Sequence, residues 1–188
     1  MFAVPGLLLA GFGIAHPAVL DAATASWWTT LHVVLLPVFP LLAVAQWQML
    51  SSAPSWLRIP GRVAAYGFAT FYGGLDAVAG IAAGAVADAQ HAVTPVIGAV
   101  FAIGDLLGHV GAACFLAANV VIVIAATLRS KWRSVPGGLL LLIAGLSFID
   151  SHIFWPRGVF TMLAVAIGMA QLSYVYVIPS RSTEPAGN

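Results

Sequence analysis

The sequence predicts an all-α, polytopic integral membrane protein, a bundle of six transmembrane helices with both termini in the cytoplasm. Of its 188 residues 61% are hydrophobic and only 7% are charged, and the mean hydropathy is +1.01. So little polar surface cannot coat a water-soluble domain. The apolar residues also form continuous runs, such as residues 139–144, whereas a transmembrane β-barrel would show short segments of alternating polarity. Helices are therefore the expected spanning elements.

Six apolar stretches are separated by proline, glycine and charged residues. A helix needs about 20 residues to cross an apolar bilayer core of about 30 Å, and each stretch comes close to that length or exceeds it. The expected helices are residues 2–16, 24–50, 62–87, 95–128, 137–154 and 157–178. We expect residues 1–180 to form one transmembrane domain and residues 181–188 to form a short disordered cytoplasmic tail.

The first two expected helices bring two histidines to one side of the membrane. His16 precedes Pro17, and a residue before proline disfavours α geometry, so the first helix should end there. Thr24 or Ser26 can cap the second helix. His32 is then expected one to two turns below the membrane surface on the same side as His16.

The third and fourth helices carry the least ordinary features of the pattern. Asp76 lies near the middle of the third helix, where an ionised carboxylate costs about 3 kcal/mol on insertion scales. Either it is protonated or a positive group reaches it. Thr94 and Pro95 are typical of a helix start. At about 1.5 Å per residue the fourth helix would run near 50 Å, so we expect it to tilt and protrude or to break near Gly98 or Gly104.

The fifth helix should end among polar residues. It begins after residues 136–138 and reaches the far interface at Asp150 and His152, before Pro156. Residues two positions apart point about 200° apart on a regular helix. Both side chains can therefore face the bundle only if the helix end unwinds before Pro156. The sixth helix starts at residue 157.

Two glycine pairs predict close helix packing. Gly80 and Gly84 in the third helix, and Gly104 and Gly108 in the fourth, have the GxxxG spacing that lets helix backbones approach in membranes. We expect these pairs to bring the third and fourth helices together. Such contact would move Asp76 toward the outer half of the fourth helix.

Orientation follows from the basic residues. Six of the seven fall in loops or the tail on one side, which the positive-inside rule assigns to the cytoplasm. They are Arg58, Arg62, Arg129, Lys131, Arg133 and Arg181, and Arg157 is the exception. We therefore expect an integral membrane protein of a bacterial plasma membrane. The net charge of +1 and the scattered cations argue against nucleic acid as a partner.

All five histidines fall on the outer side in this arrangement. They are His16, His32, His91, His109 and His152. His91 lies in a loop and is expected to be solvated. Asp105 and His109, four residues apart, should share one helical face at a separation of about 6 Å. A carboxylate and an imidazole so placed can share a metal, or the carboxylate can orient the ring.

The first functional hypothesis is a metal-dependent membrane enzyme. Its expected metal ligands are His16, His32, His109, His152 and Asp105. Zn or Fe suits such a set better than a metal that prefers thiolates. A position left open would hold water, whose pKa the metal lowers toward about 7. Asp105, Asp150 and Asp76 are the candidate catalytic carboxylates, and one that is not bound to the metal would act as general base.

Two other classes stay open beside a scaffold or accessory subunit. His32 and His109 on facing helices could ligate haem b in an electron-transfer or quinol-reacting subunit. Alternatively, Asp76 and the outer histidines could form a proton or ion path in a transporter or pH sensor. The carboxylates favour the metal site, because a bis-histidine haem needs no nearby aspartate and a transport site needs fewer histidines.

The position of the site limits its ligands. A site near the outer leaflet favours a lipid, a quinone or a periplasmic small molecule as the ligand, and the chain has no glycine-rich phosphate loop. The oligomeric state is undetermined at this stage, because GxxxG pairs also serve contacts between chains.

Overall fold

All secondary-structure elements of the computed structural model, described here for residues 1–177, are helices. The predicted tail at residues 181–188 lies outside the described residues. The elements are α1 (Val4–Ile14), α2 (Ala25–Val38), α3 (Pro40–Met49), α4 (Ser55–Leu75), a π-helix (Asp76–Ala82), α5 (Ala83–Gln90), α6 (Pro95–Ser130), a 3₁₀ turn (Lys131–Ser134), α7 (Val135–Ser151) and α8 (Arg157–Val177). The predicted all-α class is confirmed.

Four helical segments within residues 1–177 are long and apolar enough to cross a membrane. They are Ala25–Met49, Ser55–Gln90, Pro95–Ser151 and Arg157–Val175, and the apolar helix Val4–Ile14 is shorter. These segments are typical of an integral membrane protein. The count of six spans and the cytoplasmic position of the termini stay predictions.

The segment Pro95–Ser151 contains two helices that fold back on each other. The 3₁₀ turn at Lys131–Ser134 separates α6 from α7. Beyond it, Gly138 lies against Val123, and Gly145 lies against Leu116. With increasing distance from the turn, later residues of α7 contact earlier residues of α6. The two helices are therefore antiparallel. The sequence divided this segment at the same place.

Two proline-containing regions differ in how the chain accommodates them. Pro37 and Pro40 interrupt the second predicted helix, so that α2 ends at Val38 and α3 begins at Pro40. The third predicted helix, in contrast, starts earlier than residue 62, because α4 begins at Ser55 and continues through Pro60. Pro60 is the sixth residue of α4 and lies inside the helix, where it cannot donate the backbone hydrogen bond that other residues make.

The helix α6 runs without the break that its length suggested near Gly98 or Gly104. It holds 36 residues from Pro95 to Ser130, which corresponds to about 54 Å. Glycines along it bring α4 and the π-helix close, because Gly104 lies against Ala79 and Gly111 lies against the backbone of Tyr72. The unbroken α6 thus packs along both α4 and the π-helix.

The two predicted glycine pairs face different neighbours. Gly108 packs on Leu75, as expected for contact between the third and fourth predicted helices. Gly80 and Gly84 instead face α2, where a side chain would overlap His32 or Thr29. The expectation that both pairs meet at one interface was wrong, because the widened π-turn faces Gly80 toward α2. Close approach of α2 to the π-helix is what brings His32 near Asp76.

The first and last helices also pack together. A Cβ atom on Gly6 would lie 2.8 Å from the carbonyl oxygen of Met162, and Gly13 lies against the backbone of Ile153. The end of α1 therefore sits beside the connection between α7 and α8. This packing places His16, the second residue after α1, in the buried interior at that end of the bundle.

Candidate metal centre

Three histidines converge at one end of the bundle. His16, His32 and His152 each present a ring nitrogen, and these three nitrogens lie within 4.8 Å of one another. The Nε2 atoms of His16 and His32 are 3.4 Å apart. These residues come from the connection after α1, from α2 and from the end of α7. Such a group can hold a metal ion, and we call it the three-histidine centre.

His16 is held by the way α1 ends. Its backbone N–H donates to the carbonyl of Gly13, and its ring Nδ1 donates to the carbonyl of Pro17 at 2.8 Å. The indole N–H of Trp27 donates to the carbonyl of Ala15 at 2.9 Å, which ties the start of α2 to this turn. His16 is therefore buried although it lies between helices.

His32 is positioned by its own helix and by a glycine opposite. Its Nδ1 donates to the carbonyl of Trp28, one turn earlier, at 2.7 Å. Its ring occupies the space that a side chain at residue 80 would fill. Only glycine at residue 80 leaves room for the imidazole between α2 and the π-helix.

His152 enters the centre because α7 unwinds at that residue. The helix ends at Ser151, and His152 has φ of 43°, in the left-handed region. Asp150 remains on the exposed face, where its carboxylate accepts from Arg157 at 2.7 Å. The sequence predicted that the two side chains could not share a face on a regular helix. The unwound end sends the histidine inward, and the aspartate stays outside.

The hydrogen bonds fix the tautomers of two of these histidines. A backbone carbonyl can only accept, so the Nδ1 atoms of His16 and His32 carry hydrogen. In neutral rings both Nε2 atoms are then acceptors. Two acceptor lone pairs 3.4 Å apart need a cation or a proton between them. Histidines that bind metals show this arrangement, in which the distal N–H is held by a carbonyl.

A buried carboxylate lies beside the pair. Asp76 is fully buried, and its Oδ1 is 4.0 Å from Nε2 of His32. Neither carboxylate oxygen has a hydrogen-bond partner among the described residues. A buried charge without a partner is strongly destabilising. The sequence left two alternatives for Asp76, protonation or a positive group beside it, and among the described residues the basic side chain within 4.0 Å is His32.

A π-helix places that carboxylate. The segment Asp76–Ala82 is wound more widely than the α-helices on either side. Within this segment the carbonyl of Ala79 accepts from the indole N–H of Trp28 at 3.1 Å. Short π-segments inside α-helices are frequent at functional sites. Here the segment links α2 to the buried Asp76.

Aromatic rings enclose the three-histidine centre. The His16 ring lies edge-on to Phe154 and to Trp28, with centroid distances of 4.6 Å and 5.0 Å. Burial lowers the pKa of His16 from 6.5 to about 4, while the hydrogen bond to Pro17 opposes this shift. The imidazole is therefore neutral at pH 7, and a neutral imidazole is the form that binds metals.

Tyr72 is a member of the site that the sequence reasoning missed. Its hydroxyl lies 2.6 Å from Nδ1 of His152. The available signal was its position four residues before Asp76, which puts both side chains on one helical face. Tyrosine is common in hydrophobic cores, so this spacing alone did not distinguish it.

A cavity of about 180 Å³ adjoins the centre at His32 and His152. It also touches Asp105, His109 and Asp150, all of which are exposed. Asp105 and His109 share a helical face as predicted, but the Nδ1 of His109 bonds the backbone carbonyl of Asp105 at 2.7 Å. Neither belongs to the group of three histidines.

His91 lies away from the three-histidine centre. It is exposed at the end of α5, with φ of 51°.

Comparisons with protein-family models, with curated proteins and with solved structures give no match for this chain. The function is therefore argued from the geometry of the site.

Proposed function

We propose that this protein binds a divalent metal ion, Zn²⁺ or Fe²⁺, through His16, His32 and His152. The observation that carries the proposal is the opposed pair of acceptor nitrogens on His16 and His32, 3.4 Å apart. Ligand nitrogens about 2.05 Å from a tetrahedral Zn²⁺ lie about 3.3 Å from each other. The pair already has the spacing of one edge of such a tetrahedron.

The kind of ligand supports the choice of metal. Neutral imidazole suits Zn, Fe, Cu and Ni, whereas thiolates favour softer ions. Cys114 is the only cysteine, and it lies in α6 outside the three-histidine centre. Among the described residues the group offers three protein ligands, which is the number found at catalytic zinc sites that keep one position open.

Asp76 could accept a proton during a reaction at the metal. A metal with an open position supplies Lewis-acid activation of a water molecule or a carbonyl group. The Asp76 carboxylate, 4.0 Å from the nearest ligand nitrogen, would accept the proton that such a water molecule loses. Together these groups favour a metal-dependent hydrolase or hydratase of the membrane. Asp76 takes the role of general base, and Asp105 and Asp150 lie at the exposed rim.

The haem alternative is less well supported. Pockets for drug-sized ligands have volumes of about 300–1,000 Å³, and haem is at least as large as these ligands. The cavity beside His32 has a volume of about 180 Å³. The three nitrogens lie within 4.8 Å of one another, which suits a single ion better than a macrocycle.

Metal content tests the proposal. We expect the purified protein, stripped with a chelator and reloaded, to bind about one Zn²⁺ per chain, and His16→Ala, His32→Ala and His152→Ala to weaken binding about tenfold or more. The measurement is elemental analysis together with a chelator competition titration. His91→Ala is the matched control, because this exposed histidine lies outside the group.

Two outcomes would contradict the proposal. Equal metal affinity in His32→Ala and His91→Ala would show that the ion binds elsewhere. Absence of metal binding by the unaltered protein would also reject the centre. Asp76 as a proton-carrying group would then be the better account of the buried carboxylate.

A further inference from the structure

We infer that the cavity between α6 and α7 is the binding place of the substrate, a small neutral molecule of about benzene size with one lone-pair donor atom. This inference rests on the proposed metal site, because the donor atom would face the open position of the metal. It adds the route, the size and the charge of the ligand.

The route follows from where α6 and α7 separate. Toward the 3₁₀ turn the two helices touch, with Leu116 against Gly145. Farther from the turn, His109 and Ile149 border the cavity. The cavity therefore extends from the buried His32 to a rim that includes the exposed His109 of α6 and Asp150 of α7. A ligand would enter between the two helices at this rim.

The size follows from the cavity volume. An apolar cavity of about 150 Å³ binds benzene, and this cavity measures about 180 Å³. Its walls include the rings of Trp28, Phe101 and Phe154. These walls suit an apolar body without a long chain. A whole lipid does not fit, and a quinone would place only its ring inside.

The charge follows from the carboxylates at the two ends. Asp105 is exposed at the rim, and the ion pairs within residues 1–177 involve Asp76 and Asp150 but not Asp105. Asp76 lies beyond His32 at the buried end. The carboxylates of Asp105 and Asp76, when ionised, offset the +2 charge of the bound ion, so that an anion gains no net attraction at the site. A neutral molecule with a carbonyl oxygen or a ring nitrogen is favoured.

Cobalt substitution makes the binding visible. Co²⁺ replaces Zn²⁺ in histidine sites, and its visible absorption responds to a change of coordination. The probe is pyridine, a neutral benzene-sized ring with one nitrogen donor, at a pH where it is unprotonated. We expect pyridine to change the spectrum at concentrations about tenfold or more below those needed for azide, an anion, or for 4-phenylpyridine, a longer ring system.

Two variants locate the binding place. Ile149→Trp should fill the cavity and weaken pyridine binding about tenfold or more, with unchanged Co²⁺ content. Ile143→Trp is its control, because this residue lies exposed on the same helix and does not line the cavity. Asp105→Asn, a mild change at the rim, should strengthen azide binding and leave pyridine binding unchanged.

The outcomes separate this inference from the metal proposal. If Co²⁺ does not bind, the metal proposal fails, and this inference fails with it. If Co²⁺ binds but pyridine affinity is the same in Ile149→Trp as in Ile143→Trp, only the route is wrong. Azide binding as tight as pyridine, and insensitive to Asp105→Asn, would overturn the preference for a neutral ligand.

Discussion

The imidazole of His152 is held by a phenol, whereas the other two rings are held by backbone carbonyls. The Tyr72 hydroxyl lies 2.6 Å from its Nδ1. When Nδ1 donates to the Tyr72 oxygen, Nε2 of His152 is free to bind a metal. A hydroxyl can also donate in the opposite direction, which would leave the hydrogen on Nε2. Metal binding through Nε2 of His152 requires the first arrangement, in which the Tyr72 oxygen accepts the hydrogen of Nδ1.

We predict that Tyr72→Phe lowers the Zn²⁺ affinity about 10–100-fold, the usual effect of removing a group that orients a ligand. The ring of residue 72 stacks on Phe148 at 4.8 Å, and phenylalanine keeps that contact. A chelator competition titration measures the change. Tyr66→Phe is the control, since Tyr66 is exposed on the same helix. Equal affinities in the two variants would exclude the positioning role.

The sequence could identify several of these side chains but could not select among the histidines. Their positions along the predicted helices put His16, His32 and His152 at the same end of the bundle, and the structure brings these three residues together. His109 has similar depth, yet its rotation around α6 leaves it exposed. That rotation depends on packing against α4, which hydropathy does not encode.

The π-helix is the element on which the site depends most. It holds Asp76 inside, presents Gly80 to His32 and leaves a carbonyl for Trp28. The sequence predicted a continuous third helix with Asp76 near its middle. A change of winding over seven residues does not alter the apolar character of the stretch, so no pattern in the sequence revealed it.

Gly80→Ala should damage the three-histidine centre through this element. An added methyl group would overlap the His32 ring, so the ring or α2 must move. We expect a loss of stability of about 1–3 kcal/mol, as for an overpacked core, together with weaker Zn²⁺ binding. The measurements are an unfolding titration in mixed micelles and the chelator competition.

The matched control is Gly73→Ala. Gly73 lies in α4, just before the π-helix, and a Cβ atom there has no neighbour within 4 Å. Alanine should leave stability unchanged there or raise it by up to about 1 kcal/mol, because it favours helix more than glycine does. If Gly80→Ala binds metal as tightly as Gly73→Ala, the close approach of α2 to the π-helix is not needed for the centre.

Across the whole molecule, α6 separates two connections that should lie on opposite sides of the membrane. His91 precedes it and Lys131 follows it. In a Cys114→Ala background, we predict that His91→Cys reacts with a membrane-impermeant maleimide on intact cells. Lys131→Cys should react only after lysis, because the basic loops are expected in the cytoplasm.

The labelling result decides the orientation. The background protein without an added cysteine controls for nonspecific reaction. Labelling of Lys131→Cys alone on intact cells would reverse the predicted orientation. Labelling of both positions would contradict α6 as a membrane-spanning helix.

Composition and the positions of proline, glycine and charged residues were enough to predict the helical class and the division between α6 and α7. Apolar runs gave the helical membrane class, and the basic turn after residue 128 correctly separated α6 from α7. Which helices pack against each other was harder to predict from the sequence. The pairing of Gly80 with α2 depends on which face the π-helix turns inward, and the sequence assigned this glycine to another interface.

The three histidines lie far apart along the chain, and this affects when the site can form. His16 follows the first helix, whereas His152 precedes the last. During synthesis His16 leaves the ribosome early, but its third partner emerges only after α7 has been made. The part of α8 that packs against α1, near Met162, emerges from the ribosome later still. An ion held by all three histidines can therefore be bound only after α7 has been made.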